Sequence, residues 1–515
     1  MAKRFILLLF VAISLSGNAS GQRDHPRGRS FDAESHPIKH AEEQQTQYWV
    51  DKAQEKLLSK LAEAQTLSTN KAKNVIMFLG DGMSVHTVTA TRNLLGDSAD
   101  QVFFEGFPYT GLSKTYCINR QVADSACTAT AYLGGVKANY GTIGVNANVN
   151  RYSCDGAARE EDRVLSIAQW AQAAGKDAGL VTTARVTHAS PAGVYAHIAD
   201  RNWENDYEVA NGGCDSEQTI DIARQLVEQP VGQQLKVILG GGRKHFIDTT
   251  VNDEEGYPGK RTDGRHLINS WLDQKRQANV SANYVWSRKG LSLVDLDNTD
   301  YLLGLFANDH LPYNGDRHRK RSQLADPSLS ELTEAAIKVL SRNQEGFFLF
   351  VEGARIDMAH HETYARRSLE DTAEFAAAVQ KAREMTSEED TLIVVTADHA
   401  HVMSINGYPY RDQEIFGLAQ LADDNLPYTV LSYANGLGYY SAYNQAEGRA
   451  LLQEKSVLDS DFRYPAVAPL DSETHGGDDV AVYASGPYAQ YFSGNYEQSN
   501  IPALMARAAG IGPYA

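Results

Sequence analysis

Three apolar runs in this chain each end on a carboxylate. Val75–Leu79 runs into Gly80-Asp81-Gly82, Phe347–Val351 into Glu352, and Leu392–Val395 into Thr396-Ala397-Asp398-His399. Asp357, His360 and His361 follow just beyond the second run. Runs this short, apolar and rich in β-branched or aromatic residues read as buried strands of a parallel sheet. In open α/β sheets the ligand site lies beyond the carboxyl ends of the strands. One sheet edge would therefore gather at least three carboxylates and two histidines. Such a cluster is hard to keep unless metal ions neutralise it. The pattern points to a hydrolytic enzyme that uses more than one metal.

A chain of 515 residues, 42% hydrophobic and 22% charged, suits one large α/β core with insertions or, equally, two or three domains. Its net charge of −17 argues against nucleic acid or an anionic membrane surface as partner. Lys3 and Arg4 precede the apolar stretch Phe5–Ser14, and small residues follow through Ser20. This is the layout of a cleaved secretory signal over residues 1–20. A loose polar arm is expected over 21–42, then a catalytic domain over 43–515 with an insertion at about 405–473, where Tyr, Asn, Gly and Asp replace the alternating pattern. The C-terminal stretch Ile501–Ala515 lacks the long hydrophobic tail of a lipid-anchor signal. A secreted, extracellular protein without a membrane anchor is the expectation.

Secretion favours oxidised cysteines. Four cysteines allow three pairings, and closeness in sequence favours Cys117–Cys127 and Cys154–Cys214. Asn279-Val-Ser281 is a glycosylation sequon. Trp49, Ala53, Leu57, Leu58 and Leu61 recur at helical spacing and predict an amphipathic N-terminal helix, packed on the domain by default or serving as a dimer contact.

Asp357 and His361, four apart, share one face of any helix over Ala354–Ala365 and could grip one zinc ion. Asp398 and His399 can turn together to one ion at a strand end, though such an Asp can instead cap a helix. Asp81 stands between glycines that leave its carboxylate uncovered; its plain alternative is a cap for Ser84–Leu95. His475 lies in a polar loop before the strand Val480–Ala484. Ser125, in Ala123-Asp124-Ser125-Ala126-Cys127, heads a small-residue helix whose N–H groups would meet an anion. Its plain alternative is a helix N-cap. Each signal is weak alone; their joint occurrence carries the reading.

The segments Asn74–Met83, Val122–Val145, Thr182–Trp203, Phe347–Glu362, Val394–Val402 and Glu473–Gly486 resemble those of the alkaline phosphatases, animal type, with the insect enzymes most similar. The resemblance runs from about Gln45 to the C-terminus. It implies a central, mostly parallel sheet between helices with a small crown-like insertion, and a homodimer with the insertion and N-terminal helix at its interface. It implies that Ser125 is the nucleophile and becomes phosphoserine, and that Arg201 clamps phosphate through its planar fork. Asp357, His361 and His475 would hold one zinc. Asp81, Asp398 and His399 would hold a second. A magnesium would share Asp81 and add Ser190 and Glu352, with His188 behind it; His360 would support the zinc ligands. The implied activity is broad hydrolysis of small phosphate monoesters by two displacements at phosphorus, with configuration retained.

Two departures stand out. Met358 occupies a place where related enzymes carry a basic residue near the phosphate, which bears on phosphate affinity. Vertebrate relatives hold a further calcium ion. Phe306, Asp326 and Glu255 answer to that site here, but Ala307 replaces a carboxylate, so the resemblance leaves calcium open. The rival readings are a phosphodiesterase or sulfatase of the same superfamily, or an inactive relative that only binds; intact Ser125, Arg201 and metal ligands favour the monoesterase.

Overall fold

The computed structural model describes residues 41–44, 46–65, 68–319, 326–444, 446 and 448–515. The expected signal and nearly all of the arm lie outside these residues. The centre of the molecule is a ten-stranded sheet. Its strands in chain order are β1 (Asn74–Gly80), β2 (Tyr109–Lys114), β3 (Asp177–Arg185), β4 (Val237–Gly241), β5 (Ala282–Val285), β6 (Tyr301–Leu305), β7 (Phe347–Gly353), β8 (Thr391–Ala397), β9 (Val480–Ser485) and β10 (Gly494–Glu497). Across the sheet they run β10-β2-β9-β8-β1-β7-β3-β4-β6-β5. Only β9 opposes its neighbours, β8 and β2; the other pairs are parallel.

Both faces of this sheet are buried, which is why its central strands read as continuous apolar runs. Successive side chains alternate between the faces. Met77 and Leu79 pack with Phe350 and Val394 on one side, while Ile76 and Phe78 pack with Val351 and Ile393 on the other. Helices α1 (Thr46–Gln65), α2 (Val85–Leu95), α3 (Ser125–Gly134), α4 (Leu329–Leu340), α5 (Arg355–His361), α6 (Ala365–Glu384) and α7 (Ile501–Ala509) flank the sheet or extend from it. Ala129 and Leu133 of α3 and Met505 of α7 cover the first face. Leu332 and Leu340 of α4 and Phe375 and Val379 of α6 cover the second. Phe78 meets Phe375 edge-on at 5.8 Å. Truncating such a core ring to alanine costs about 3–5 kcal/mol.

Register brings the strand ends level. Leu79 of β1 pairs with Glu352 of β7 and Thr396 of β8, and Glu352 also pairs with Thr182 of β3. The residues that follow β1 and β8, Asp81 and Asp398, thus leave one edge side by side. Met403–Ile405, at the edge of the stretch read as an insertion, joins Leu431–Asn435 and Ala466–Ala468 in a separate three-stranded sheet, and the core around Phe416, Tyr433 and Tyr464 also takes in Ala90 of α2 and Leu369 of α6. The helix expected over 354–365 is shorter. It ends at His361, and Thr363 takes a left-handed conformation (φ 58°) before α6 begins. Asp357 and His361 still fall within it.

Both disulfides are present, Cys117–Cys127 and Cys154–Cys214. Asn279 is exposed just past a helix end, with φ 54°.

Candidate active site

Three loops beyond β1, β7 and β8 and a fourth before β9 meet at the carboxyl edge of the sheet. Gly82 makes the first one tight. Its φ is 65°, and a Cβ there would stand 2.3 Å from the His401 ring. Its N–H donates to Asp398 Oδ1 at 2.9 Å, joining the β1 and β8 loops. Asp81 is not a helix cap; Ser84 caps α2 by accepting from the Thr87 N–H. Nor does Ser125 cap α3. Asp124 does so through the Cys127 N–H, and Ser125 is the first residue of the helix. Both carboxylate and hydroxyl are thereby left for other work. Ser125 Oγ is buried, 3.4 Å from Asp81 Oδ1 and 3.3 Å from His399 Nε2.

Histidine tautomers can be inferred from their partners. His361 Nδ1 is 2.5 Å from the Glu473 carbonyl, His475 Nδ1 2.7 Å from the Ala123 carbonyl, and His399 Nδ1 3.3 Å from the Ala400 carbonyl. A carbonyl only accepts, so each Nδ1 carries the hydrogen and each Nε2 keeps a lone pair. These lone pairs converge. His475 Nε2 lies 3.0 Å from His361 Nε2 and 3.3 Å from Asp357 Oδ1. His399 Nε2 lies 3.5 Å from Asp81 Oδ1 and 3.2 Å from Asp398 Oδ2. Acceptors facing acceptors in a buried site call for a cation. Asp357, His361 and His475 form one grouping of metal-ligating atoms, joined by His401; Asp81, Asp357 and His399 form a second.

A third grouping is Asp81, His188 and Glu352. Asp81 Oδ2, Glu352 Oε1, Ser190 Oγ and His188 Nδ1 are all buried without a hydrogen-bond partner among the described residues. An unsatisfied buried polar atom costs about 1–3 kcal/mol. The three oxygens among them, from Asp81, Glu352 and Ser190, fit a hard cation such as magnesium, which takes oxygen ligands. Burial, then Asp357, Asp398 and Glu352, pushes the Asp81 carboxyl well above the usual range. Burial pushes Glu352 up to about 8, against the pull of Thr182, whose hydroxyl donates to it at 2.5 Å. These are the electrostatics of carboxylates built around positive charge.

Arg201 faces the same space. Its Nη1 donates to Asp124 Oδ2 at 2.9 Å and its Nη2 is 3.2 Å from His188 Nε2. Burial, then Arg201 and Arg185, lowers His188 to about 3, so its ring is neutral. His360 is buried beneath the site, between Thr87, Ser368 and Tyr433. Met358, half-buried, rests its sulfur 3.0 Å from Arg355 Nη1.

Three residues here were not singled out in the sequence. His401 Nε2 is 2.6 Å from Asp357 Oδ1, and Glu473 Oε2 is 2.5 Å from His401 Nδ1. Asp124 holds Arg201. His401 carried a signal, since residues two apart on an extended strand share a side with one another, and His399 was already a candidate. Glu473 and Asp124 carried none beyond adjacency to His475 and Ser125.

Two of the residues that bear on a calcium ion, Phe306 and Glu255, lie beside a buried arginine. Near Phe306 the fully buried Arg243 guanidinium pairs with Glu255 and with Asp253 at 3.1 Å, and donates to the Leu305 carbonyl at 2.7 Å. A built-in cation thus stands against the acidic side chains of Asp253 and Glu255.

Comparison with known proteins agrees with this geometry. Residues 72–511 match the alkaline phosphatase family. A membrane-bound alkaline phosphatase of Bombyx mori is 48% identical over 505 residues, covering 95% of this chain and 90% of that protein. The alkaline phosphatase of Gadus morhua is 46% identical, covering 92% and 98%. The human tissue-nonspecific isozyme is 44% identical, covering 91% and 90%. Among solved structures, the Thermus thermophilus alkaline phosphatase superposes with a TM-score of 0.60 at 21% identity, over 87% of this chain and 93% of that one, and so speaks to the fold. A cold-active enzyme from Shewanella superposes with 0.58 at 26% identity, over 85% and 99%. The chain belongs to the alkaline phosphatase family and is a phosphomonoester hydrolase.

Proposed function

We propose that the chain is a secreted, broad-range alkaline phosphatase that works through a covalent phosphoserine on Ser125, with two zinc ions and one magnesium. The observation that carries this is the position of Ser125 Oγ, 3.3 Å from His399 Nε2 and 3.4 Å from Asp81 Oδ1. Asp357, His361 and His475 would hold one zinc, Asp81, Asp398 and His399 the other, and Asp81, Ser190 and Glu352 the magnesium. When bound, these ions supply Lewis-acid activation of the serine hydroxyl and of water, and neutralise the carboxylates. Ser125, at the first position of α3, presents its oxygen where helix N–H groups face an incoming anion. Arg201, fixed by Asp124, turns its remaining donors to the phosphoryl oxygens. In the first displacement the Ser125 oxygen bonds to phosphorus and the ester oxygen leaves. In the second, water bonds to phosphorus and Ser125 is released.

A homodimer belongs to the proposal. Helix α1 leaves Trp49, Leu57, Leu58 and Leu61 more than half exposed, which is unusual for large apolar side chains on one helix. Two disulfides support an oxidising destination, and no described helix is long and apolar enough to cross a membrane.

The test is acid quenching of enzyme with a phosphate monoester, followed by peptide mass spectrometry, with metal content measured on the same sample. Phosphate on Ser125, and loss of turnover in Ser125→Ala, are expected. Assays on a monoester, a diester and a sulfate ester side by side separate the rival chemistries; a dominant diester rate overturns the reading.

A further inference from the structure

The exposed stretch that leads into Ser125 is tied down at its two ends by one cross-link. Residues 118–122 are all exposed, Ile118 by 55% and Val122 by 40%. The buried residues at its two ends, Cys117, Ala123 and Cys127, form a small core of their own with Ala138. Among the described residues its ties include Ile118 N–H to the Ala138 carbonyl at 3.0 Å, Arg120 N–H to the Cys117 carbonyl at 3.3 Å, and Tyr140 N–H to Asn119 Oδ1 at 2.9 Å. Yet three consecutive residues here each serve the site. The Ala123 carbonyl fixes the His475 ring. Asp124 holds Arg201, and accepts from the Cys127 and Gly141 N–H groups. Ser125 is next. Cys127, two residues on, sits in the first turn of α3, and Cys117 Sγ lies 3.8 Å from Asp124 Oδ1.

We propose that the Cys117–Cys127 disulfide is a positioning element of the reaction, holding Ala123, Asp124 and Ser125 in register with His475 and Arg201. This rests on the reading of Ser125 as nucleophile. The second disulfide supplies the contrast. Cys154–Cys214 spans 60 residues against 10, and its neighbours Thr219 and Gly213 lie outside the site. Stabilisation by a cross-link rises with the loop it closes. On loop length alone Cys154–Cys214 would therefore contribute more to stability, read as melting temperature. A positioning role reverses the ranking for activity alone.

The experiment compares metal-loaded wild type, C117A/C127A, C154A/C214A and Ser125→Ala at a temperature below every melting transition. It measures kcat, KM and the inhibition constant for inorganic phosphate. C117A/C127A is expected to lose at least tenfold in kcat and fivefold in phosphate affinity, while its melting temperature falls less than that of C154A/C214A. C154A/C214A is expected to keep kcat within twofold. A C117A/C127A enzyme with kcat and phosphate inhibition within twofold of wild type overturns the proposal. If that variant does not fold, native wild type is reduced and alkylated, the modified cysteines are mapped, and the same constants decide. Turnover surviving in Ser125→Ala would instead sink the nucleophile reading on which this inference stands.

Discussion

His401 Nε2 lies 2.6 Å from Asp357 Oδ1, while Glu473 accepts from the opposite ring nitrogen at 2.5 Å. A carboxylate, an imidazole and a second carboxylate thus run in line into the proposed zinc site. Partners of this kind aim the ligand, and their loss lowers metal affinity by about 10–100-fold. His401→Ala is expected to weaken zinc binding by that factor, read by competition with a chelator, and to regain much of its kcat when zinc is in excess. Glu473→Gln keeps a hydrogen-bonding group and should show a smaller effect. Unchanged zinc affinity in His401→Ala would remove the line from the mechanism.

Arg201 divides its guanidinium between Asp124, at 2.9 Å, and the space before Ser125. A lysine carries the charge but not the fork. One hydrogen bond to a charged group contributes about 1.5–3 kcal/mol, and each 1.36 kcal/mol is tenfold in rate. Arg201→Lys should therefore lower kcat/KM by roughly ten- to a hundredfold, with inhibition by inorganic phosphate weakened in parallel. A drop in kcat/KM with phosphate inhibition untouched would place Arg201 elsewhere in the reaction.

Much of the site was legible because strand-end carboxylates betray themselves. Asp81, Glu352 and Asp398 each close an apolar run, and the sheet register sets the three runs level. The central strands were legible for the same reason, being buried on both faces. The edges were not. Tyr109–Lys114 alternates buried and exposed residues over only six positions, and Gly494–Glu497 is largely exposed, so neither carries an apolar run. The helix expected over 354–365 runs past the end of α5 at His361 because Thr363 gives no glycine or proline signal for its left-handed turn. Glu473 escaped because its role depends on a partner seventy-two residues away in sequence, and no local spacing reports such a contact.

Met358 lies one residue after Asp357 with its sulfur against the Arg355 guanidinium. Replacing it with lysine adds positive charge next to Asp357, at the place where the family resemblance implies a basic residue near the phosphate. At an effective dielectric of about 20, a charge some distance from the anion is worth on the order of 1 kcal/mol. Met358→Lys is expected to tighten inorganic phosphate inhibition severalfold and to slow product release. A pre-steady-state burst larger than that of wild type would report it, and looser phosphate binding would contradict it.

Asp371 is buried on α6, and burial pushes its carboxyl up to about 7. Arg355 and the Asn314 N–H, which donates to Oδ2 at 3.1 Å, pull it down, while Glu370 and Glu374 push it further up. In the unfolded chain the same group ionises near 4. Between about pH 4 and 7 the native state therefore holds a proton that the unfolded state has lost. Stability contributed by this group falls as pH rises through that window and levels off above it. Asparagine keeps an acceptor for the Asn314 N–H and does not titrate. Asp371→Asn should raise the melting temperature relative to wild type by a few degrees at pH 8, at roughly 2–4 °C per kcal/mol or less for a chain this large. The gain should shrink as the pH is lowered toward 4. Calorimetry of both proteins at pH 5 and pH 8 checks this, and an equal gain at the two values would show that Asp371 is ionised in the fold.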